Sequence, residues 1–418
     1  MNRLTNRAAV HAILLLSIAA SPAASQSAPL PSWADSAVLI APGPQYARGG
    51  FFRTLAGPHY RDLWATPIRV PIVNLSRFGG GLTPVLAHSG SQTKSIRFTG
   101  GDGRQYQLRS VDKDPTARLA PWLQTSTLAK LQRDGVSASH PAASLVASSL
   151  LEAAGVLRVP QVFAVLPDDP ALGEFRAEFK GMLGMMEERP TALDEGGETF
   201  AGARRIISPT RLFERIDASP DDRVDAEAFL VARLMDILMG DRDRHRDQWR
   251  WASFGKGDPT IWQPISRDHD EAFVKLDGPA LALTRLYYPP MVTFGEKYPK
   301  PYQLNWHARE VDRRFLVELD RRVWDSVATA LQRTLSDSVI RTAANRMPPE
   351  MAAVEAGELT RILGLRRDQL VTEALEYYAF LSEEVEVRAT DAAETAELAR
   401  ADAHSVDLTV RERGKSEP

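Results

Sequence analysis

The first half of the chain is dominated by short runs in which apolar and polar residues alternate. Runs of about four to eight such residues are typical of half-buried strands. They cover residues 82–87, 94–99, 105–111, 159–166 and 179–187. The four residues 100–103, Gly-Gly-Asp-Gly, predict a tight hairpin between two of these strands. Residues 141–154 have helical spacing and stop at Gly155. We therefore expect a mostly antiparallel sheet with one helix.

The second half is organised by longer apolar stripes. In residues 224–239, Leu230, Leu234 and Leu238 lie on one helical face, and Gly240 is the natural stop. Two β-like runs follow at 249–254 and 260–265. Further helices are predicted at 311–335, 337–345, 351–363 and 366–381, and alternation returns over 385–411. The pattern predicts an α+β protein with a β-rich lobe at 39–190, a helical lobe at 191–383 and a β-like tail at 384–418.

Composition indicates an exported globular protein. The chain has 418 residues, a net charge of -3 and no cysteine. This excludes disulfides, thiolate catalysis and cysteine zinc sites, and it gives no basic field for nucleic acid. Residues 1–25 combine Arg3, Arg7, a short apolar stretch and small residues, which predicts a signal peptide, with a linker at 26–38. We expect a periplasmic or extracellular protein without a transmembrane segment.

Two charged loops carry the candidate chemistry. Residues 240–248 read Gly-Asp-Arg-Asp-Arg-His-Arg-Asp-Gln directly after the apolar helix, and residues 267–271 read Arg-Asp-His-Asp-Glu after the second β-like run. Phosphoryl-transfer enzymes build a base and a metal site from two adjacent loops of this kind. The alternative interpretation is a solvated turn whose charges compensate one another.

The spacing within these loops distinguishes their acids. Asp243 is the candidate base because Gln248 stands five residues later, where a metal ligand is expected. Asp268 is the candidate metal acid, with Gln248 as the second metal ligand. His245 is a candidate orienting partner of the base rather than a metal ligand.

The β-rich half contains the candidate phosphate-binding residues. The loop at 88–92, with Gly90 and Gln92, lies between the first two predicted strands, where a kinase covers the phosphates. A basic residue is needed on the third strand, and Arg109 and Lys113 both meet that need. Glu187 belongs to a segment that would lie at the hinge between the lobes.

The loops resemble a known family. Residues 234–240, Leu-Met-Asp-Ile-Leu-Met-Gly, followed by Asp243-Arg244-His245, look like the catalytic segment of secretory-pathway kinases of the four-jointed and Golgi casein kinase type. Residues 268–273, Asp-His-Asp-Glu-Ala-Phe, resemble their metal-binding segment, and HipA-type and CotH-type kinases share the plan more loosely. The chain also resembles a domain of exported bacterial proteins that occurs beside phosphoesterase or outer-membrane barrel domains. The resemblance implies a bilobal kinase-like fold, Mg²⁺ or Mn²⁺, a nucleoside triphosphate and a hydroxyl acceptor.

Departures from the family pattern leave other functions open. Kinases pair the strand cation with a helix glutamate, but Ser144 stands at that level here and Glu152 lies near the wrong end of the helix. Gln248 replaces the usual asparagine or acid. A bacterial periplasm also lacks ATP. The alternatives are an inactive kinase-like binding module with an envelope partner and a metal-dependent phosphohydrolase.

Overall fold

The structure is a computed structural model that describes residues 29–88, 92–191, 200–255, 259–278, 287–403 and 406–414. The predicted signal peptide at 1–25 lies outside the described residues. The strands are β1 Ser36–Ile40, β2 Ile68–Ile72, β3 Leu82–His88, β4 Ser95–Gly100, β5 Gln105–Ser110, β6 Leu157–Arg158, β7 Gln161–Val165, β8 Leu183–Glu188, β9 Arg205–Ile207, β10 Asp222–Val224, β11 Trp249–Ser253, β12 Thr260–Ser266, β13 Glu394–Arg400 and β14 Val406–Glu412. β1 begins inside the segment that the sequence assigned to the linker.

The helices concentrate in the second half of the chain. They are α1 Gly50–Ala56, α2 Arg61–Ala65, α3 Thr127–Gly135, α4 Ala143–Ala153, α5 Arg176–Phe179, α6 Pro209–Ala218, α7 Ala226–Met239, α8 Pro301–Phe315, α9 Arg321–Thr334, α10 Asp337–Ala344 and α11 Pro349–Ser382. The predicted α+β arrangement is confirmed, with a sheet-rich N-terminal lobe, a helical C-terminal lobe and a β-hairpin at the end. None of the helices in the described ranges is long and apolar enough to cross a membrane.

The N-terminal lobe contains a sheet of strand order β1-β2-β7-β8-β5-β4-β3. β4, β5 and β8 are neighbours and run antiparallel, so strand alternation sorts their side chains into two faces. Ile96 and Leu108 are buried in the core on one face. Arg97, Arg109 and Glu187 lie on the other face, which turns toward the C-terminal lobe.

The C-terminal lobe is built around α7, whose apolar side chains are almost all buried. α7 packs against α8, α9 and α11. Arg366 of α11 is fully buried and donates to the carbonyls of Ile237 (2.8 Å) and Leu238 (2.7 Å), which caps the end of α7. Gly240 then takes a left-handed conformation with φ 66° and turns the chain out of the helix.

Two helix predictions were wrong in their extent. The single helix expected at 311–335 is divided between α8 and α9, because Asp320 caps a new helix by accepting from the N–H groups of Arg322 and Val323. The two helices expected at 351–363 and 366–381 form the continuous α11. The glycine at position 364 costs about 1 kcal/mol in a helix, and burial of Leu363 and Leu370 on the same helix offsets it.

Candidate active site in the cleft between the lobes

Arg244 connects the loop after α7 to the loop after β12. Its side chain is fully buried over the ring of Trp249, and its Nε lies 3.0 Å from Asp236 Oδ2. Its Nη1 donates to the carbonyl of Arg267 (2.7 Å), and its Nη2 donates to Ser266 Oγ (2.8 Å). A buried guanidinium held on both sides fixes the two charged loops relative to one another.

Asp268 is held in the cleft by this arrangement. Its backbone is left-handed, with φ 56°, and its carbonyl also accepts from Arg244. Its Oδ2 lies 2.7 Å from Nη1 of Arg109, which projects from β5 of the other lobe. Burial opposes ionisation of Asp268, but Arg109 and then Lys113 outweigh it and hold the pKa of the carboxyl well below its usual range. Asp268 is therefore ionised at neutral pH and joins the lobes.

Lys113 forms a second contact between the lobes. Its Nζ lies 2.8 Å from Asp270 Oδ2 and 3.0 Å from Glu271 Oε1, and Glu271 Oε2 also pairs with Arg242 Nη2 at 2.9 Å. Burial and the neighbouring Asp268 raise the pKa of Asp270 to about 6. Burial disfavours the charge of Lys113, but the two acids outweigh it and raise its pKa. Both basic residues proposed from the sequence therefore face acids of one loop.

Asp243 and His245 lie on the adjacent loop with partly exposed side chains. His245 Nε2 is 3.9 Å from Asp243 Oδ2. The two neighbours of Asp243 in the chain, Arg242 and Arg244, both bind the 266–271 loop, so Asp243 is held beside it. No described residue joins the carboxylates of Asp243 and Asp268 directly. The loop is anchored rather than a free solvated turn.

The other predicted site residues are distributed around this centre. Gln248 is buried, and its carbonyl accepts from the N–H of Arg267 at 3.1 Å. Glu187 is buried, accepts from Gln161, and lies 3.6 Å from Arg267 Nη2. The carbonyl of Gln92 accepts from the N–H of the residue that follows Lys113. The predicted loop residue Gly90 lies outside the described residues.

Helix α4 supplies no acid to the cleft. Ser144 lines a cavity of ≈ 40 Å³ together with Arg109, Lys113 and Asp268. Glu152 instead pairs with Arg158 at 2.6 Å, on the far end of the helix. The cavity has room for a few water molecules, far below the roughly 300–1,000 Å³ of small-ligand sites. Arg109 is thus paired with Asp268 rather than with an acid of α4, and the cleft is closed by its own ion pairs.

A larger cavity of ≈ 340 Å³ lies between α8 and the segment that follows α11. Trp306, His307 and Arg313 of α8 are among the residues that line it. The hydroxyl of Tyr288 lies 2.9 Å from His307 Nε2. Burial lowers the pKa of His307, and the charge of Asp243 opposes this shift. His307 is therefore the lining residue that the charge of the candidate base reaches.

A buried polar network lies behind the cleft. His269 Nε2 is 2.9 Å from Ser266 Oγ, and its Nδ1 is 3.0 Å from Asp241 Oδ2. Asp236, Asp241 and His269 each offer one atom that could bind a metal ion, and these atoms lie within 4.8 Å of one another. However, all of these groups are buried, and Arg233 and Arg244 already balance Asp236. The network is therefore structural and supports the loop that carries Asp268.

Sequence reasoning missed residues whose partners are distant in the chain. Asp270 and Glu271 were noticed in the charged loop, but nothing in the sequence connected them to Lys113. Arg242 and Asp241 were passed over because several acids and arginines follow one another there. The available signal was position, since each lies within three residues of Asp243 or Asp268, which were selected as candidates.

Comparisons with known proteins give weak similarities. No protein-family model matches the chain, and no curated protein matches its sequence. Among solved structures, the Helicobacter pylori proinflammatory kinase CtkA aligns with 10% identity over 73% of this chain and 97% of that chain, with a TM-score of 0.37. The Golgi casein kinase aligns with 11% identity over 83% and 84%, with a TM-score of 0.33. HipA, in its complex with HipB and operator DNA from Shewanella oneidensis MR-1, aligns with 12% identity over 73% and 68%, with a TM-score of 0.31. Similarities this weak do not assign an activity to this chain.

Proposed function

We propose that the protein is an exported, kinase-like phosphotransferase that uses Mg²⁺ and a donor with a phosphate chain. The observation that carries the proposal is the 2.7 Å contact between Arg109 and Asp268 across the cleft. Phosphoryl transfer needs a phosphate-binding cation and a metal-binding carboxylate at one position. Lys113 and Asp270 form a second pair of the same kind at 2.8 Å. Two such pairs connect β5 and the residues just after it to the 266–271 loop. They support a functional site rather than a chance arrangement of charges.

The acids around the cleft suit magnesium. Carboxylate and amide oxygens are the ligands that Mg²⁺ prefers, and Asp268, Asp270 and the side chain of Gln248 offer such oxygens. Asp268 and Gln248 would hold the ion, with Mn²⁺ as an equivalent. A bound divalent ion supplies positive charge that stabilises the phosphoryl group during transfer.

Asp243 is proposed to accept the proton of the acceptor hydroxyl, and His245 to orient it. The bond between the terminal phosphorus and its bridging oxygen breaks, and a new P–O bond forms to the acceptor oxygen. The hydroxyl proton passes to Asp243, and the leaving chain keeps the bridging oxygen with the bonding electrons. Arg109 and Lys113 stabilise the charge on the phosphates.

The two sides of the cleft are assigned to the two substrates. The donor, expected from the family resemblance to be a nucleoside triphosphate, would lie along the sheet face with Glu187 and Gln92 around it. The hydroxyl acceptor, small or part of an envelope protein, would approach Asp243 from the side of His307, which lines the ≈ 340 Å³ cavity.

An inactive kinase-like binding module is the second candidate. It is favoured by the same ion pairs, because Asp268 is already neutralised by Arg109 and the cavity between them measures only ≈ 40 Å³. A donor and its metal have to displace both pairs before transfer. The two candidates therefore differ in whether Mg²⁺ and a phosphate donor bind together.

Thermal unfolding of the purified protein tests the proposal. We expect MgCl₂ and ATP or tripolyphosphate together to raise the midpoint, since ligands that bind only the folded state stabilise it. Asp268→Asn should abolish this shift. No shift with any donor, or an equal shift in Asp268→Asn, would reject the proposal. Release of free phosphate without an acceptor would instead identify a phosphohydrolase.

A further inference from the structure

Two arginines accompany Arg109 on the cleft face of the N-terminal sheet. Arg97 of β4 pairs in register with Gln107 of β5, which pairs in turn with Glu187 of β8. Arg189 follows Glu187 by two residues, and its N–H donates to the carbonyl of Gln105 at 2.7 Å, so the ladder continues to it. Because side chains two residues apart share a face, Arg97, Arg109 and Arg189 are presented on one side of the sheet.

Two further arginines approach from the C-terminal lobe. Arg267 follows the last residue of β12 and precedes Asp268, and its Nη2 lies 3.6 Å from Glu187 Oε1, so it reaches across to the sheet. Arg250 of β11 donates to the carbonyl of Trp249 at 2.7 Å. Burial, followed by Arg267, Arg189 and Arg97, lowers the pKa of Arg250 to about 10. The four guanidiniums therefore lie close enough to repel one another.

The arginine cluster, defined as Arg97, Arg189, Arg250 and Arg267, has too few acids around it. Within the described ranges, Glu187 is the one carboxylate that forms an ion pair with any of the four. Nε of Arg189 and Nε of Arg267 are buried and find no hydrogen-bond acceptor in that part of the chain. Burial and then Arg97 lower the pKa of Arg189 to about 10, so its guanidinium remains charged at neutral pH. Buried charge that is only partly compensated is costly and favours binding of an anion.

The chemistry of the cluster selects the anion. A guanidinium presents a planar fork of N–H donors that matches phosphate oxygens, and several forks in a row suit several phosphates in a row. The cluster extends from Asp268 toward Arg189. Arg189 follows β8, in the segment that would border a purine base in a kinase. A neutral base prefers an apolar slot, whereas this segment offers guanidiniums.

We propose that the arginine cluster binds the inner phosphates of a condensed phosphate chain, so that the phosphoryl donor is a linear polyphosphate rather than a nucleoside triphosphate. The identification of the chain as the donor rests on the proposed function, whereas its binding to the cluster does not. The terminal phosphate would lie at Arg109 and Asp268, and the remaining phosphates would extend along the four arginines. A donor of this kind needs no nucleotide outside the cytoplasm.

Isothermal titration of the full chain with sodium tripolyphosphate, in MgCl₂, tests the binding. Arg97→Gln combined with Arg250→Gln removes two half-buried forks and is expected to weaken binding by at least about tenfold, since each charge-assisted hydrogen bond contributes strongly. Arg322 is exposed on α9 and pairs with Asp320. Arg322→Gln is therefore the control and should bind tripolyphosphate as the unmodified protein does. Arg97→Lys combined with Arg250→Lys keeps the positive charges but removes the planar forks of N–H donors. Its tripolyphosphate affinity should lie between those of the Arg97→Gln/Arg250→Gln protein and the unmodified protein.

The outcomes separate this inference from the proposed function. Equal tripolyphosphate affinity in the Arg97→Gln/Arg250→Gln protein, or tighter binding of ATP than of tripolyphosphate, would overturn the polyphosphate site. Phosphoryl transfer from ATP and not from tripolyphosphate would do the same and leave the phosphotransferase intact. Arginine-dependent tripolyphosphate binding without transfer from either donor would keep the site and reject the phosphotransferase.

Discussion

Nη1 of Arg109 and Oδ2 of Asp268 lie 2.7 Å apart and join the sheet of one lobe to the charged loop of the other. Arg109 is the candidate phosphate ligand and Asp268 is the candidate metal ligand. Arg109 therefore lies where a metal ion would bind to Asp268, and Asp268 lies where a phosphate would bind to Arg109. Donor and metal together restore the charge balance that either one alone would disturb, so their binding should be coupled.

Replacement of Arg109 separates the two ligands. In Arg109→Gln, Asp268 loses its guanidinium partner and becomes a stronger metal ligand. The phosphate chain loses the guanidinium that would bind it. We expect Mn²⁺, followed by electron paramagnetic resonance without donor, to bind severalfold more tightly, and tripolyphosphate to bind about tenfold more weakly. Lys94→Gln, which removes the same charge from an exposed pair with Glu178, is the control. Unchanged Mn²⁺ affinity in Arg109→Gln would show that Asp268 is not a metal ligand.

Arg244 should matter to stability far more than its neighbour Arg246. Arg244→Gln leaves Asp236 with one less partner in the interior and frees the carbonyl of Arg267. Loss of one partner from a buried ion pair costs about 3–5 kcal/mol. Arg246→Gln removes only an exposed pair with Glu310 and should change the free energy of unfolding by less than about 1 kcal/mol. Urea denaturation of both variants measures the difference, and equal losses would contradict the role of Arg244.

Asp241 makes the stability depend on pH. Burial raises its pKa to about 6, so the folded protein holds the proton more tightly than the unfolded chain. Its destabilising contribution is therefore absent below about pH 4, grows as the pH rises toward 6 and is complete above it. Asp241→Asn still accepts a hydrogen bond from His269 and removes the titration.

The free energy of unfolding of Asp241→Asn minus that of the unmodified protein should therefore be larger at pH 7 than at pH 4.5, by about 2 kcal/mol. Titration of His269 is present in both proteins and largely cancels in the difference. Urea denaturation at the two pH values measures it. A difference between the two proteins that does not change with pH would show that Asp241 has an ordinary pKa.

Two glycine substitutions should change stability in opposite directions. Gly240→Ala places a side chain at φ 66°, with its Cβ 3.3 Å from Phe294, and should cost at least about 1 kcal/mol. Gly357→Ala lies inside α11 with open space around the new Cβ and should stabilise the protein by about 0.5–1 kcal/mol. Thermal unfolding compares them. A neutral Gly240→Ala would mean that the turn into the Asp243 loop tolerates other conformations.

The features that sequence reasoning predicted correctly depend on local pattern. The strand at 82–87, the hairpin at 100–103 and the helix at 224–239 each follow from residues close together in the chain, and the structure confirms them. Arg109 and Asp268 could also be selected locally, one as a charge in mid-strand and the other as the first acid after a β-like run. That they form a pair could not be read from either position.

The features that were missed depend on contacts between distant segments. The arginine cluster is assembled from positions 97, 189, 250 and 267, which belong to four different strands or strand ends, and none is unusual alone. Continuity of α11 past Gly364 depends on burial against the C-terminal core, which outweighs local helix propensity. Strand register brings the arginines together, and packing keeps α11 continuous. A local sequence pattern encodes neither register nor packing.

Transfer of labelled phosphate tests the central claim most directly. The purified protein is incubated with MgCl₂, an envelope extract as acceptor, and ATP or tripolyphosphate labelled in the terminal phosphoryl group. We predict labelled acceptor with the unmodified protein and with Asp247→Asn, an exposed acid of the same loop, and at least about a thousandfold less with Asp268→Asn. Equal labelling by all three proteins, or none by the unmodified protein with either donor, would contradict phosphoryl transfer at this site.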